Sequence, residues 1–370
     1  MSKTSHNYIY YGTEAHAGEV RLFVEHILKA NLENVQNGGH RTPVCIWGTH
    51  GIGKTELVRT IAKESGYEFA YIAPAQFEEM GDLIGMPAIV GDSTVFRAPD
   101  WVPRTSGPGI LLIDDVNRAD DRILRGIMQL LQNFELVSWN LPPQWQIVLT
   151  ANPDGGDYSV TPMDDAMLTR MMHITMKFNA KVWALWAEQS GVDPRGINFV
   201  LTYPEVALGR RTTPRSLVQF FDAIRSIHNL KDELALVQML ADSCLDDETA
   251  ISFLSYVQHN LSELIAPEEI IGAANFPNEV QQRIEKAVRQ DIFRVDIMAT
   301  LCTRLVNYLT VRQIKPNEWE IANIRSFIKM PFLPNDLRLA MLQDIVQSAN
   351  TALKAVLADP EISLMLLKKM

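Results

Sequence analysis

The chain has 370 residues, 47% of them hydrophobic and 21% charged, an ordinary globular composition with room for two or three cores. Its formal net charge of −10 argues against a general nucleic-acid binder, whose affinity comes largely from Lys and Arg on phosphates, although a local basic patch can sit inside an acidic total. No apolar run reaches the roughly 20 residues of a membrane span. The N-terminus lacks the basic-then-apolar layout of a signal peptide, and Cys45, Cys244 and Cys302 form no C-x-x-C pair, so the cytosol is the expected location and neither a disulfide framework nor a zinc site is suggested.

In chain order, residues 19–32 carry amphipathic helical periodicity, closed by Asn37-Gly38-Gly39. Val44-Cys45-Ile46-Trp47 is a short apolar run of β character. Directly behind it, Gly48-Thr49-His50-Gly51-Ile52-Gly53-Lys54-Thr55 matches G-x-x-x-x-G-K-[ST] in full, and a helical stretch over 56–64 follows. Strand, glycine loop and helix form the setting a phosphate-binding loop requires. Such a loop turns its backbone N–H groups onto a pyrophosphate, with the helix N-terminus adding positive potential. Lys54 is placed to reach the β- and γ-phosphates, and the Thr55 hydroxyl to ligate Mg²⁺. A chance glycine turn would not need lysine, threonine, strand and helix all in register.

Further strands are expected at 68–72, 110–113, 146–151 and around 173–176, with a helix over 120–132. Strands alternating with helices, several of them continuously apolar, indicate a parallel sheet covered on both faces, with its ligand at the carboxyl ends of the strands. Two segments interrupt the alternation and read as inserted hairpins, 74–103 and 134–145. Their Phe77, Met80, Phe96, Trp101, Trp139 and Trp145 are available either to grip a partner or to pack the inserts down.

The strand Ile110-Leu111-Leu112-Ile113 ends in Asp114-Asp115. A charge at the end of a buried strand needs a counter-ion, and a Mg²⁺ shared with Thr55 supplies one. Asp114 is assigned to the metal through water, and Asp115 to polarising an attacking water; an acidic helix cap is the plainer reading of the same letters. In Leu149-Thr150-Ala151-Asn152-Pro153 a polar amide stands at the tip of another apolar strand, where it serves the attacking water or the γ-phosphate, or merely an Asn-Pro turn. Arg170, just before the last strand, and Arg215, in the first turn of a helix after Thr213-Pro214, are suited to charge developing on a transferring phosphoryl group, or are surface arginines.

From residue 179 the periodicity is helical, with candidates at 180–190, 214–229, 230–243, 278–309, 316–329, 334–357 and 360–369, several opened by proline. The expected organisation is an α/β nucleotide-binding domain over 1–177, a helical lid over 178–265 and a helical extension over 266–370.

Taken in order, the loop at 48–55, the acidic strand at 110–115, Asn152, Arg170 and Arg215 resemble the Walker A, Walker B, sensor-1, arginine-finger and sensor-2 positions of AAA+ ATPases. Within these the chain is similar to the MoxR-like group, related to the modules of dynein and midasin. Asp82-Leu83-Ile84-Gly85, Asp114-Asp115-Val116-Asn117-Arg118-Ala119 and Leu141-Pro142-Pro143-Gln144-Trp145 carry that likeness, and the two inserts match the group's helix-2 and pre-sensor-1 inserts. The resemblance covers about 15–229. It implies an α/β P-loop core with a helical lid, Mg²⁺-dependent ATP hydrolysis, assembly into a ring, most simply a hexamer, and a protein partner with a von Willebrand factor A domain. It also implies that Arg170 acts on the neighbouring subunit's site and that Arg215 contacts the γ-phosphate, with Arg210 and Arg211 as rivals for that role. Asp115 departs from the Glu common in the superfamily. The alternatives are a nucleotide-dependent switch and a DNA-associated ATPase.

Overall fold

The computed structural model describes residues 11–153, 160–258, 264–289, 293–311, 315–348 and 351–367. The chain divides into two compact units, Met1–Phe178 and Asn179–Met370.

In the first unit β1 (Thr13–His16) leads into α1 (Ala17–Gln36), β2 (Val44–Trp47), α2 (Lys54–Ser65) and β3 (Glu68–Ile72). The first insert contributes α3 (Met80–Ile84) and a hairpin of β4 (Met86–Val90) and β5 (Ser93–Arg97). Next come β6 (Gly109–Ile113), α4 (Asp121–Asn133), the second insert as β7 (Glu135–Leu136) and β8 (Trp139–Asn140), then β9 (Trp145–Ala151), α5 (Asp165–Leu168) and β10 (Met172–Lys177). Six strands form one parallel sheet in the order β1-β10-β2-β9-β6-β3.

Central β2, β6 and β9 are buried at every residue, as expected of strands covered on both faces. Their side chains alternate between two cores. Ile46, Ile110, Leu112 and Val148 join Val20, Val24 and Ile27 of α1 and Val58 and Ile61 of α2. Trp47, Leu111, Ile113, Ile147 and Leu149 join Ile123, Ile127 and Leu130 of α4 on the other face. The parallel P-loop sheet expected from the sequence is therefore present, with an additional edge strand, β1, whose polar Thr13 and Glu14 hide it from a hydrophobicity pattern.

One polar group lies inside the first of these cores. Gln146 on β9 is buried; its amide nitrogen donates to Leu28 O at 2.7 Å, and its oxygen accepts from Asn31 Nδ2 at 2.9 Å. Asn31 also donates to Thr42 O and accepts from Thr42 N, so α1 is fastened to the sheet by a satisfied network.

The inserts are joined to each other. Trp101 Nε1 donates to Asp82 O and Trp139 Nε1 to Leu83 O, each at 3.1 Å, and the Ser138 hydroxyl donates to Ile84 O. The rings of Trp101 and Trp139 meet edge to face with centroids 5.3 Å apart. Of the six apolar residues expected to be available for gripping a partner, Phe77, Met80, Trp101, Trp139 and Trp145 pack into the unit. Only Phe96 is exposed, together with Met86, Ile89, Val90 and Val95 of the same hairpin.

The second unit consists of helices: α6 (Ala180–Gln189), α7 (Pro194–Thr202), α8 (Pro214–Ile224), α9 (Leu234–Cys244), α10 (Asp247–Gln258), α11 (Pro267–Gly272), α12 (Gln282–Val288), α13 (Val295–Val311), α14 (Glu318–Ile328), α15 (Asn335–Gln347) and α16 (Pro360–Leu367). The single helix expected over 278–309 is two. A π turn at Pro277–Gln281 leads into α12, and an antiparallel bridge between Arg289 and Phe293 separates α12 from α13. The helix expected over 334–357 stops at Gln347, because Ser348 turns extended (ψ 137°), and a 3-10 segment Thr351–Ala358 follows. Phe199, Phe220, Phe253 and Tyr256 form an aromatic cluster at the centre of α7, α8 and α10. Buried Arg304 of α13 pairs with Glu188 of α6 at 2.5 Å and with Asn198 Oδ1 of α7 at 2.6 Å. Among the described residues no helix is long and apolar enough to cross a membrane.

Gln146→Ala leaves one Asn31 N–H without its partner inside the core and removes the side-chain donor to Leu28 O, and is expected to cost about 1–3 kcal/mol. Urea denaturation of wild type and variant, followed by far-ultraviolet circular dichroism, tests this; an unchanged midpoint would show the network to be dispensable.

Candidate functional site

The loop after β2 must wrap tightly, and two of its glycines show why they are needed. Gly53 has φ +102°, a region L side chains rarely adopt, and a Cβ on Gly48 would lie 2.9 Å from Met176 O. The chain then enters α2 at Lys54 and Thr55, so the N-terminal end of that helix faces the loop. Thr49, His50, Gly51 and Ile52 complete the turn; Ile52 is buried in the core shared with α1, while His50 is exposed.

Lys54 is buried at 5% exposure. Its ammonium donates to Gly48 O at 2.7 Å, Thr49 O at 3.2 Å and Asn152 Oδ1 at 3.2 Å. Burial pushes its pKa down to about 8, against the opposing pull of Asp115 and Asp114. Thr55 Oγ1 donates to Asp114 Oδ1 at 2.8 Å. Asp115 stands in a left-handed conformation, φ +49°, which turns its carboxylate toward Asn152 Nδ2 at 3.1 Å and Arg118 Nε at 3.4 Å. Asp tolerates this region better than most residues, and such positive φ values cluster at functional sites.

Thr55, Asp114, Asp115, Lys54 and Asn152 therefore converge at the carboxyl ends of β2, β6 and β9, where open α/β sheets bind ligands. Several residues not singled out from the sequence complete the arrangement. Thr150 Oγ1 donates to Asp114 Oδ1 at 2.6 Å and accepts from Asp115 N at 2.8 Å, locking the two carboxylates to β9. Tyr71 OH donates to Asp114 Oδ2 at 3.1 Å; burial and the Asp114 charge raise its pKa, which keeps it a donor. Asn117 donates to Asn152 O and accepts from Asn152 N, fixing the backbone that carries the Asn152 amide. A hydroxyl buried in the otherwise apolar run 147–151 was the one local signal for Thr150.

Arg170 lies elsewhere in the first unit. Arg170 precedes Met172, which pairs with Val44, so it stands at the strand-start end of the sheet, whereas the phosphate loop follows the opposite end of β2. Its guanidinium donates to Gln132 Oε1 at 2.9 and 3.1 Å and to Ala166 O. Arg215 is an exposed residue in the first turn of α8, in the second unit. Its rival Arg211 is engaged: its guanidinium donates to Asp242 O and Ser243 O at the end of α9.

The residues present suit a nucleotide and a hard cation. Thr55 and Asp114 offer paired oxygens, the glycine loop offers backbone donors, and a buried ammonium points to where phosphate charge would lie. Among the described residues there is no cluster of three or more His, Cys, Asp or Glu side chains placed to hold a metal.

Comparison with known proteins agrees with this geometry. Residues 43–171 match the AAA domain of the dynein-related subfamily. The chain is similar to midasin of Giardia intestinalis, 26% identical over 143 residues, which cover 36% of this chain and 3% of that protein. It is also similar to an ATP-dependent protease ATP-binding subunit-like protein of Rhodococcus erythropolis, 35% identical over 103 residues, 25% of this chain and 29% of that protein. The chain thus spans well under two thirds of the length of these relatives. Among solved structures it is similar to a variant of RuvB of Thermotoga maritima, 15% identical with a TM-score of 0.39 over 69% of this chain and 74% of that one. A second RuvB structure, described as a Holliday junction branch migration motor, is 16% identical with a TM-score of 0.36 over 68% and 74%. The parallel strand order itself, rather than these overlaps, establishes the P-loop fold. The sequence matches support an AAA+ ATPase domain over 43–171 and do not single out the MoxR-like group.

The buried ammonium has a measurable consequence. The folded pKa of about 8 lies below the ordinary 10.5, so the unfolded chain binds more protons between these values and stability rises with pH across that window. Below pH 8 the nucleotide-free protein carries the full cost of a buried charge. Lys54→Met is therefore expected to be more stable than wild type at pH 7 without nucleotide, with the gap narrowing from pH 8 toward 10.5. Thermal melts of both proteins across this range check it; a constant gap would mean that Lys54 is not the titrating group.

Proposed function

We propose that the chain is a Mg²⁺-dependent ATPase that assembles into a ring, most simply a hexamer, and uses hydrolysis to remodel or mature a protein partner. The observation that carries this reading is the pair of hydrogen-bonded paths meeting at three adjacent strand ends: Thr55 to Asp114 to Thr150, and Lys54 to Asn152 to Asp115. AAA+ P-loop proteins generally hydrolyse ATP and commonly form rings, which supports the reading.

In the proposed mechanism the loop N–H groups from 48 to 55 hold the phosphates, and Lys54 exchanges its carbonyl partners for β- and γ-phosphate oxygens. Thr55 and Asp114 would hold Mg²⁺, which when bound with the nucleotide neutralises phosphate charge. Tyr71 and Thr150 keep Asp114 oriented, and Asn152, released by Lys54, is free to orient a water. Asp115 polarises that water. It is one methylene shorter than Glu, so slow turnover is expected. Arg170, directed away from its own loop, is assigned to the neighbouring subunit's γ-phosphate, where it would meet charge developing during transfer. Arg215 is preferred to Arg211 as the lid arginine because the guanidinium of Arg211 is already committed to α9. The preferred partner, by resemblance to the MoxR-like group, is a protein with a von Willebrand factor A domain.

Lys54→Ala should abolish nucleotide binding in calorimetry, whereas Asp115→Asn should bind ATP and fail to turn it over. Arg170→Ala should keep affinity and lose most hydrolysis. Mixed rings of Arg170→Ala and Asp115→Asn subunits should regain turnover at interfaces that combine an intact Asp115 with an intact Arg170. A Lys54 variant that binds as wild type, or a monomer at tens of micromolar protein with saturating ATP analogue, would overturn the proposal. Hydrolysis stimulated by DNA would favour a DNA-associated ATPase instead.

Exposed β4–β5 is the natural contact for a partner, since the other insert aromatics are packed. The double variant Ile89→Ser, Phe96→Ser should leave basal ATP hydrolysis within a few-fold of wild type and uncouple it from the partner. Partner-stimulated hydrolysis at the wild-type level in this variant would exclude the hairpin as the contact.

A further inference from the structure

Between the phosphate loop and the Arg170 corner lies a side chain that the proposed mechanism does not use. His173 is the second residue of β10 and pairs in register with Cys45. Its Nδ1 is 2.9 Å from Nε1 of Trp47, the fully buried residue immediately before Gly48. Its Nε2 is 2.8 Å from Leu168 O, two residues before Arg170. The indole N–H can only donate, so Nδ1 is the acceptor and the ring proton sits on Nε2, directed at the Leu168 carbonyl. The tautomer is thereby determined by the neighbours. Tyr11 packs on both rings, with centroids 4.7 Å from Trp47 and 5.7 Å from His173, and its carbonyl accepts from Thr175 Oγ1 at 2.9 Å.

The carbonyl that His173 holds is otherwise weakly tied. Met171 N reaches it only at 3.5 Å, and α5 is four residues long. A four-residue helix has little stability of its own, so its position depends on tertiary contacts. The imidazole supplies one such contact at the C-terminal end of α5, next to the residue whose guanidinium must be aimed.

We infer that His173 is a positioning residue for Arg170: its Nε2–H anchors Leu168 O, and Trp47, by holding Nδ1, keeps the proton on the nitrogen that does so. The inference rests on the reading of Arg170 as a group acting on the neighbouring subunit's nucleotide. It predicts that damage at His173 is felt next door rather than in the subunit's own site, although Trp47 leads straight into that subunit's own phosphate loop.

The test uses the full-length chain under ring-forming conditions with ATP. His173→Asn keeps a short amide that can accept from Trp47 but cannot reach Leu168, and should lower kcat about 10- to 100-fold with KM for ATP unchanged. His173→Gln places a donor near the former Nε2 and should recover much of that loss. Mixing His173→Asn with Asp115→Asn subunits should restore turnover, since an interface then combines an intact Asp115 with an intact finger corner. If Arg170→Ala regains activity in such mixtures and His173→Asn does not, His173 acts within its own subunit and this inference fails alone. If neither regains activity, the reading of Arg170 fails and takes the inference with it. Wild-type kcat in His173→Asn would also overturn it. Should that variant not fold, Trp47→Phe removes the donor to Nδ1 together with part of a buried ring and should show the same rescue by Asp115→Asn, which a packing defect in the subunit's own site would not; no loss of kcat in Trp47→Phe would be equally decisive against the inference.

Discussion

A single buried ammonium organises the first unit. Lys54 cannot remain charged in a dry interior without partners, and its surroundings supply two carbonyls from its own loop and one amide oxygen from the strand beside it. That amide, Asn152, passes the constraint on to Asp115, and the backbone of Asp115 passes it through Thr150 to Asp114 and Thr55. Members carried by α2 and by the ends of β6 and β9 hold one another, so the site exists only while β2, β6 and β9 keep their register. The two hydrophobic cores on either side of the sheet maintain that register.

The buried ammonium is also a store of free energy. A lysine whose pKa is drawn toward neutrality by burial is stabilised by any anion that reaches it. Binding of a polyphosphate would relieve the desolvated charge and free Asn152 at once, which couples occupancy of the loop to the setting of the water-directing groups. In the proposed mechanism, nucleotide binding and the orienting of the water thus share one contact, Lys54 Nζ to Asn152 Oδ1.

Much of this was legible in the sequence, for a physical reason. Phosphate loops, acidic strand ends and a strand-tip amide are local: Gly48 through Thr55, Asp114-Asp115 and Asn152 each sit within a few residues of the strand that delivers them. What escaped notice is non-local. Tyr71 meets Asp114 across two strands, Arg41 donates to the carbonyls of Pro142 and Trp145, and His173 finds Trp47 at a separation of 126 residues. No periodicity marks such partners. The helix break between α12 and α13 was missed for a related reason, since no proline or glycine marks the Arg289–Phe293 bridge. The apolar residues of the inserts were visible as letters, but whether they faced out or in depended on α3, whose carbonyls take up two of the three tryptophan N–H groups.

That last feature has a mechanical consequence. Because Trp101, Trp139 and Ser138 are all fastened to the backbone of α3, the two inserts are joined into one piece rather than standing as two separate arms. The exposed strands β4 and β5 are its free end. Its other end is rooted where α4 terminates at Asn133, one residue beyond Gln132, the side chain on which Arg170 rests. The hairpin is thus tied through α3 to the chain that leaves α4, the helix whose Gln132 side chain accepts from Arg170.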